Sequence, residues 1–310
     1  MLSVFGAINL DVSVRCQRLP QPGETVLGTG VLLSPGGKGA NQAHAARRFG
    51  APTRLFGMVG NDAFAEPALA CLRGAGVDLG GVGVSPSGAT GIAAISVSDS
   101  GDNTIVVAPG ANLAARADQV SDAALRDTRV LLLQLEVPAA ESLALARRAR
   151  RLGCRVILNP SPWPAGAPPD TSAADLLIVN ALELDQLGAH WRIHATAPLD
   201  RARLLAQSLQ LDVLVTLGAE GSFLAHSDGR EAAGRALAVQ ALDSTGAGDT
   251  FAGVFAAAIA GGESAQRAMD LASVAAGLAC LQPGAQVAQP DRVAIEAHIE
   301  RLRERIARLP

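Results

Sequence analysis

The 310-residue sequence predicts a doubly wound α/β fold, with a mainly parallel sheet covered by helices on both faces. Two observations lead there. Apolar runs of strand length are nearly continuous, as in strands buried on both faces, and they alternate with Ala-rich stretches of helical period. Hydrophobic residues make up 49% of the chain, enough for one large core. In chain order, strands are expected at Leu2–Ile8, Thr53–Val59, Val130–Leu135, Arg155–Leu158, Leu176–Val179 and Val213–Leu217. Helices are expected at Gly39–Phe49, Ala65–Gly74, Pro138–Leu152 and Leu199–Gln210. Near the end, Phe251, Val254, Phe255, Ala258 and Ile259 recur at helical spacing and mark a further buried face. No repeat or low-complexity linker interrupts the pattern, so residues 1–310 read as one domain. Pro160 to Pro169 reads as a Pro-rich loop.

Two segments break the alternation. Residues 12–35 and 89–108 read as short strands with turns, including Glu24-Thr-Val-Leu27, Gly91 to Val97 and Thr104 to Ala108. They resemble antiparallel hairpin material inserted into the frame, able to form a small β lid over a cleft. Polar residues close several strand runs: Asn9 and Asp11, Glu136, Asn159, Asn180 and Thr216. Open α/β sheets bind ligands outside the carboxyl ends of their strands, so these residues point to a shared crevice.

Composition excludes several classes of function. Net charge is -3, aromatics are 3% and Tyr is absent, so neither a basic track nor a stacking platform for nucleic acid is expected. The cluster Arg147, Arg148, Arg150 and Arg151 reads as a solvated helix face. No run is long enough to span a bilayer. Cys16, Cys71, Cys154 and Cys280 show no CxxC spacing, and no leader pattern is seen, which fits a reducing cytoplasm. His190 and His194 have a zinc-capable spacing, but Trp191 stands where a metalloprotease carries Glu, and no third ligand lies nearby.

The most informative stretch is Asp243-Ser-Thr-Gly-Ala-Gly-Asp249-Thr250. Gly246, Ala247 and Gly248 precede the last amphipathic helix. Small residues there leave backbone N–H groups uncovered, and the helix dipole adds to their pull on an anion. A carboxylate beside an anion hole is odd for binding alone. It makes sense if Asp249 takes a proton from a nucleophile attacking a phosphate held in the hole. Read alone, Asp and Gly are also ordinary helix-capping residues. A second stretch, Gly36-Gly-Lys-Gly-Ala-Asn-Gln-Ala43, is not a P-loop, because the spacing is wrong. Its paired glycines permit close backbone approach to a ligand. Lys38 and Asn41 lie three apart and can face the same way, which suits a polyhydroxylated ligand.

Both stretches in this order, with Gly50 and Gly60 after the first, resemble the paired motifs of the ribokinase-like (PfkB) carbohydrate kinase family. The resemblance covers nearly the whole chain. It leans to the ribokinase branch through Ile8-Asn-Leu-Asp11, Pro20 to Val26, Ala89-Thr-Gly91, Pro109-Gly-Ala-Asn112, Gln134-Leu-Glu136 and Leu158-Asn-Pro160. It implies an enzyme that moves a phosphoryl group from ATP to the 5-hydroxyl of D-ribose. Other members of the family act on fructose, keto-deoxy sugar acids or nucleosides. An acid substrate calls for an Arg, and no matched sugar position is Arg. A non-catalytic sensor on the same fold would be expected to lack Asp249 or the glycine run. A Rossmann dehydrogenase would need GxGxxG after the first strand, which Gly6-Ala-Ile-Asn9 does not supply.

The resemblance also implies roles. Asp249 is the base, and Gly246, Ala247 and Gly248 form the anion hole. Asn9, Asp11, Gly37, Lys38, Asn41 and Glu136 hold the sugar. Asn180, Thr216, Gly218, Gly221 and Ser273 serve the nucleotide. Glu183, in Asn-x-x-Glu with Asn180, helps organise Mg2+. Backbone carbonyls around Asp243, Thr245, Ala279, Gln282 and Gly284 hold an activating K+. The lid carries a homodimer interface. The chain departs from the family pattern at Ala288, where a Ser-like residue is expected, at Ser273, where His or Asn is common, and at Ala181, where Glu follows the Asn.

Overall fold

The structure is a computed structural model that describes residues 1–163 and 170–307, with side chains to residue 299. The chain opens with β1 (Leu2–Phe5), then β2 (Asn9–Cys16), β3 (Gly28–Gly36) and α1 (Lys38–Arg48). Next come β4 (Thr53–Gly60), α2 (Ala65–Ala75), β5 (Asp78–Ser85), β6 (Gly91–Ser98) and β7 (Asn103–Ala108). The middle runs through α3 (Asp122–Arg126), β8 (Val130–Leu133), α4 (Ala139–Arg151), β9 (Arg155–Leu158) and β10 (Leu176–Asn180). After α5 (Ala181–His190) and α6 (Pro198–Leu209) come β11 (Asp212–Thr216), β12 (Ser222–Ala225) and β13 (Glu231–Gly234). Helices α7 (Ala247–Gly261), α8 (Ala265–Ala279) and α9 (Arg292–Ala307) close the chain.

Nine strands form one sheet in the order β13-β12-β11-β10-β9-β8-β1-β4-β5. All its pairings are parallel except those of β12, which runs antiparallel to both neighbours. The apolar runs explain the burial. In β1 and β8, Leu2, Val4, Val130 and Leu132 join the core beneath α1, α7 and α8. Their neighbours Phe5, Leu131 and Leu133 join the core on the opposite face. Each strand therefore needs apolar residues at every position, as the sequence shows. Ser3 is buried among them, with its Oγ 2.7 Å from the Thr128 Oγ1. The apolar stripe expected on the last motif's helix is buried as Phe251, Val254, Phe255, Ala258 and Ile259 of α7.

The segments expected to form a lid make up a four-stranded sheet in the order β3-β2-β6-β7. It consists of two antiparallel hairpins, as expected, but β2 and β6 join them in parallel, which the sequence did not suggest. It also begins earlier than expected. The first strand run does not continue to Ile8; β1 ends at Phe5 and the chain enters the lid at Asn9. At that point the backbones of Gly6 and Gly39 pack closely, since a Cβ at Gly39 would lie 2.6 Å from the Gly6 carbonyl carbon. Glu24 to Leu27 is not a strand. Gly23, at φ 82, turns the chain, and the Glu24 carboxylate pairs with Arg18 across that turn. The Arg cluster is not simply solvated either. Arg148 donates to Asp122 at 2.6 Å and to the Ala117 carbonyl at 3.0 Å, tying α4 to the segment before it. Of the Pro-rich loop, residues 164–169 lie outside the described residues. Among the described residues no helix is long and apolar enough to cross a membrane.

Candidate active site

Helix α7 starts at Gly246, whose φ of 73 suits Gly and whose missing Cβ would sit 2.9 Å from the Ala285 Cβ. No side chain caps this end. Among the described residues the N–H groups of Gly248 and Asp249 have no protein acceptor, so two donors at the positive end of a 15-residue helix stay open. Asp249 is buried beside them. Its Oδ1 accepts from the Gln42 Nε2 at 2.9 Å, and its Oδ2 from the Asn41 Nδ2 at 3.0 Å. The Lys38 ammonium lies 3.7 Å from Oδ1.

All three partners come from the first turns of α1. That helix begins at Gly37, with φ 87, where a Cβ would lie 2.7 Å from the Ala7 carbonyl oxygen. Helices α1 and α7 approach closely because α7 carries Gly253, where a Cβ would lie 2.4 Å from the Gln42 carbonyl oxygen. The short Asn41 side chain can therefore reach Asp249.

The residues expected to hold the sugar converge on the same helix start. The Lys38 N–H donates to the Glu136 Oε2 at 2.7 Å. Asn9 is buried, with its Oδ1 accepting from the Asn112 Nδ2 at 2.8 Å. Asn112 is itself held by the Ile8 N–H at 2.9 Å and the Ile8 carbonyl at 3.2 Å. The side chain of Asn9 is thus oriented with its NH2 group left over. Asp11, on β2, stands against Gly36, where a Cβ would come within 2.3 Å of its carboxylate. Burial, with Glu136 and Asp249 nearby, pushes the Asp11 carboxyl up to about 7. Burial also raises the Glu136 carboxyl, against the pull of Lys38. Lys38 is held above its ordinary range, chiefly by Asp249, then by Glu136 and Glu183, against the cost of burial. Three carboxylates therefore face one ammonium, in a pocket whose remaining demand is for hydroxyl donors.

On the other side of Gly248 a cavity of about 510 Å³ opens. Thr216, Gly218, Gly221 and Ser273 line it together with Ala247 and Gly248, so the N-terminus of α7 forms its floor. Its walls are largely apolar: Leu237, Val239, Phe251, Ala276 and Cys280. Asn180 is not among its lining residues. It pairs in register with Thr216 and forms a reciprocal cap with Glu183, whose N–H donates to the Asn180 Oδ1 at 2.8 Å. The Glu183 Oε2 accepts the Asn180 N–H at 3.0 Å, while Oε1 has no protein donor among the described residues.

Asp243 pins two loops together. Its Oδ2 accepts from the Gly284 N–H at 2.8 Å, and its Oδ1 from the Thr245 N–H and hydroxyl at 2.9 and 2.6 Å. Burial pushes this carboxyl up, but these donors outweigh it and hold it below its usual range. Both oxygens are spent on the protein. Among the described residues the carbonyls of Thr245, Gln282 and Gly284 accept no hydrogen bond, and that of Ala279 is met by the Gln282 N–H at 3.5 Å.

Residues 1–292 match the model of the family described as pfkB family carbohydrate kinase. The chain belongs to this family. It is 32% identical over 293 residues to the ribokinase of Haemophilus influenzae, covering 94% of this chain and 95% of that protein. The solved ribokinase of Thermotoga maritima superposes with a TM-score of 0.89 at 29% identity, over 96% of this chain and 99% of that one. The Arabidopsis thaliana ribokinase complexed with ribose and ATP gives 0.85 at 31% identity, over 96% and 97%.

In this PfkB-family kinase, the candidate site residues fall into three groups around α7, with Asn180 and Glu183 set apart at the start of α5. Asn41, expected to hold the sugar, gives its Nδ2 to Asp249, and its Oδ1 accepts from the Gln286 Nε2 at 3.1 Å. Sequence reasoning missed Gln42 as a partner of Asp249, Asn112 as the clamp on Asn9, and the apolar wall of the cavity. Asn112 sat within a quoted motif and could have been asked for a partner. Phe251 and Ala276 of that wall stand on α7 and α8, but Leu237 and Val239 lie in coil, where no periodicity marks them.

Proposed function

We propose that this chain transfers the γ-phosphoryl group of ATP to the 5-hydroxyl of D-ribose. The observation that carries the reading is the position of Asp249. It stands at the open N-terminus of α7, between a cradle rich in carboxylates and amides and an apolar cavity floored by the same helix end. Carboxylates and amides match vicinal hydroxyls, and a missing partner in such a closed site is costly. The cavity suits a purine, with phosphates directed at the free N–H groups. Asp249 takes the hydroxyl proton, and the sugar oxygen attacks the γ-phosphorus as the bond to the ADP oxygen breaks. The N–H groups of Gly248 and Asp249, with Lys38, meet charge on the transferring group. Asn9, Asp11, Gly37 and Glu136 orient the sugar. The relatives' names support ribose, and so does the absence of Arg among the cradle residues.

Mg2+ fits this donor set in one specific sense. Among the described residues no group of three acidic, His or Cys side chains could hold a metal alone, so an ion would arrive with the phosphates. Glu183, with Oε1 free beside Asn180, would orient its water shell. Bound there, Mg2+ supplies positive charge against the β- and γ-phosphates. A K+ fits the open carbonyls of Thr245, Gln282 and Gly284, with the Asp243 side chain bracing the loops instead of serving as a ligand. The reading takes residues 1–310 as one domain on the single large sheet. It also takes the lid as a homodimer interface, because Val31 and Val106 on its strands are each 70% exposed. Free Cys16, Cys71, Cys154 and Cys280 suit work in the cytoplasm. The test is a panel of pentoses, hexoses and nucleosides assayed for ADP release with ATP and Mg2+. Ribose should be preferred by at least tenfold in kcat/KM. A better nucleoside or hexose would overturn the assignment.

A further inference from the structure

Gln42 has no exposed surface, and every polar atom of its side chain is engaged. Its Nε2 donates to the Asp249 Oδ1 at 2.9 Å and to the Asn159 Oδ1 at 3.2 Å. Its Oε1 accepts from the Gln134 Nε2. The direction of this chain of amides is not arbitrary. The Asn159 Nδ2 donates to the Ile178 carbonyl at 2.9 Å, a backbone acceptor that cannot reverse. The Asn159 oxygen must then face Gln42, which must answer with its NH2 group. That leaves the Gln42 oxygen toward Gln134. A carbonyl in the middle of β10 thereby dictates that a donor, never an acceptor, meets the Asp249 carboxylate.

We infer that Gln42 is a positioning residue for phosphoryl transfer: it holds the Asp249 carboxylate by one oxygen and presents it to the sugar hydroxyl as an acceptor. Asn41 holds the other oxygen. With both oxygens tethered, the carboxylate plane is fixed, and rotation about its side-chain bonds is blocked. The inference rests on Asp249 being the base.

The test uses the full chain with ribose, ATP and Mg2+, and reads kcat/KM for ribose against pH. Charged groups that face Asp249 are Lys38 from α1, Asp11 from β2 and Glu136 after β8, and all are kept in every variant. Gln42→Glu replaces the donor by a second carboxylate. The two must share a proton, so the acid limb of the profile should move up by about one pH unit or more. Gln42→Met keeps the length and adds no charge. It should lower kcat by roughly 10- to 100-fold while the KM for ATP stays within about twofold. ADP binding by calorimetry certifies that each variant is folded. An unmoved acid limb in Gln42→Glu, or an undiminished kcat in Gln42→Met, overturns the positioning role. Asp249→Asn separates the two readings. If that variant keeps most of its turnover, the base itself is wrong. If it is inactive while both Gln42 variants behave as the parent, the positioning role alone is lost.

Discussion

Replacing Asp11 by Asn should make the sugar-free protein more stable and its ribose binding worse. The Asp11 carboxyl stands at about 7 instead of 3.8 because burial and the Glu136 and Asp249 charges oppose its ionisation. At roughly 1.4 kcal/mol per pH unit, that difference amounts to about 4 kcal/mol. The sign follows from proton binding. Between 3.8 and about 7 the native protein holds this proton and the unfolded chain has lost it, so stability falls as pH rises. Above 7 the whole cost is present, and below 3.8 none is. Asn carries no charge at any pH, so it escapes the cost. By the same linkage, urea unfolding should show the variant ahead by under about 2 kcal/mol at pH 5 and by up to about 4 kcal/mol at pH 8. The KM for ribose should rise by about tenfold or more, because a charged acceptor of a sugar hydroxyl has been lost. A stability difference that does not change between pH 5 and pH 8 would refute the crowded-carboxylate account of this pocket.

Asp249→Asn should cut kcat by roughly 100- to 10,000-fold while ribose and ATP still bind, as calorimetry on the variant would show. Glu136→Ala should raise the KM for ribose far more than that for ATP, because its carboxylate meets the Lys38 N–H on the sugar side; steady-state kinetics with each substrate varied will decide. Rates in K+ should exceed those in Na+ or a bulky organic cation at constant ionic strength. Equal rates in all three would remove the carbonyl site from the account.

Much of this was legible because the signals are local. Gly37 and Gly246 each precede a helix and each adopts positive φ, so the two places where backbone must stay bare can be read from short stretches. The apolar runs of β1, β4, β8, β10 and β11 announce a doubly buried sheet for the same reason. What was hidden depends on distant partners. Gln42 meets Asp249 across 207 positions, and a Gln inside a helix carries no mark of such a role. Asp243 is expected beside a cation held by backbone carbonyls, and nothing in its own stretch shows that one of its side-chain oxygens is spent on Gly284, 41 positions away. Strands β5, β12 and β13 escaped notice because their runs are short or rich in Gly and lie at or near the sheet edges. The wall from Leu237 to Ala241 presents apolar surface from coil, which leaves no periodic trace.

The lid's four strands all root at the cleft. β2 leaves it at Asn9, β3 returns at Gly36, β6 leaves at Gly91 and β7 returns at Ala108. Each strand therefore has an anchored end and a free one. Adding a residue at the far turn near Gly101, where a Cβ would meet nothing within 4 Å, lengthens the blade and leaves the roots in register. Adding one between Asn9 and Asp11 would turn Asp11 to the opposite face and empty the pocket of a carboxylate. Within one small sheet, the distal half can drift as partners or surface chemistry change, while the proximal half is held in register with the cleft at Asn9, Asp11 and Gly36.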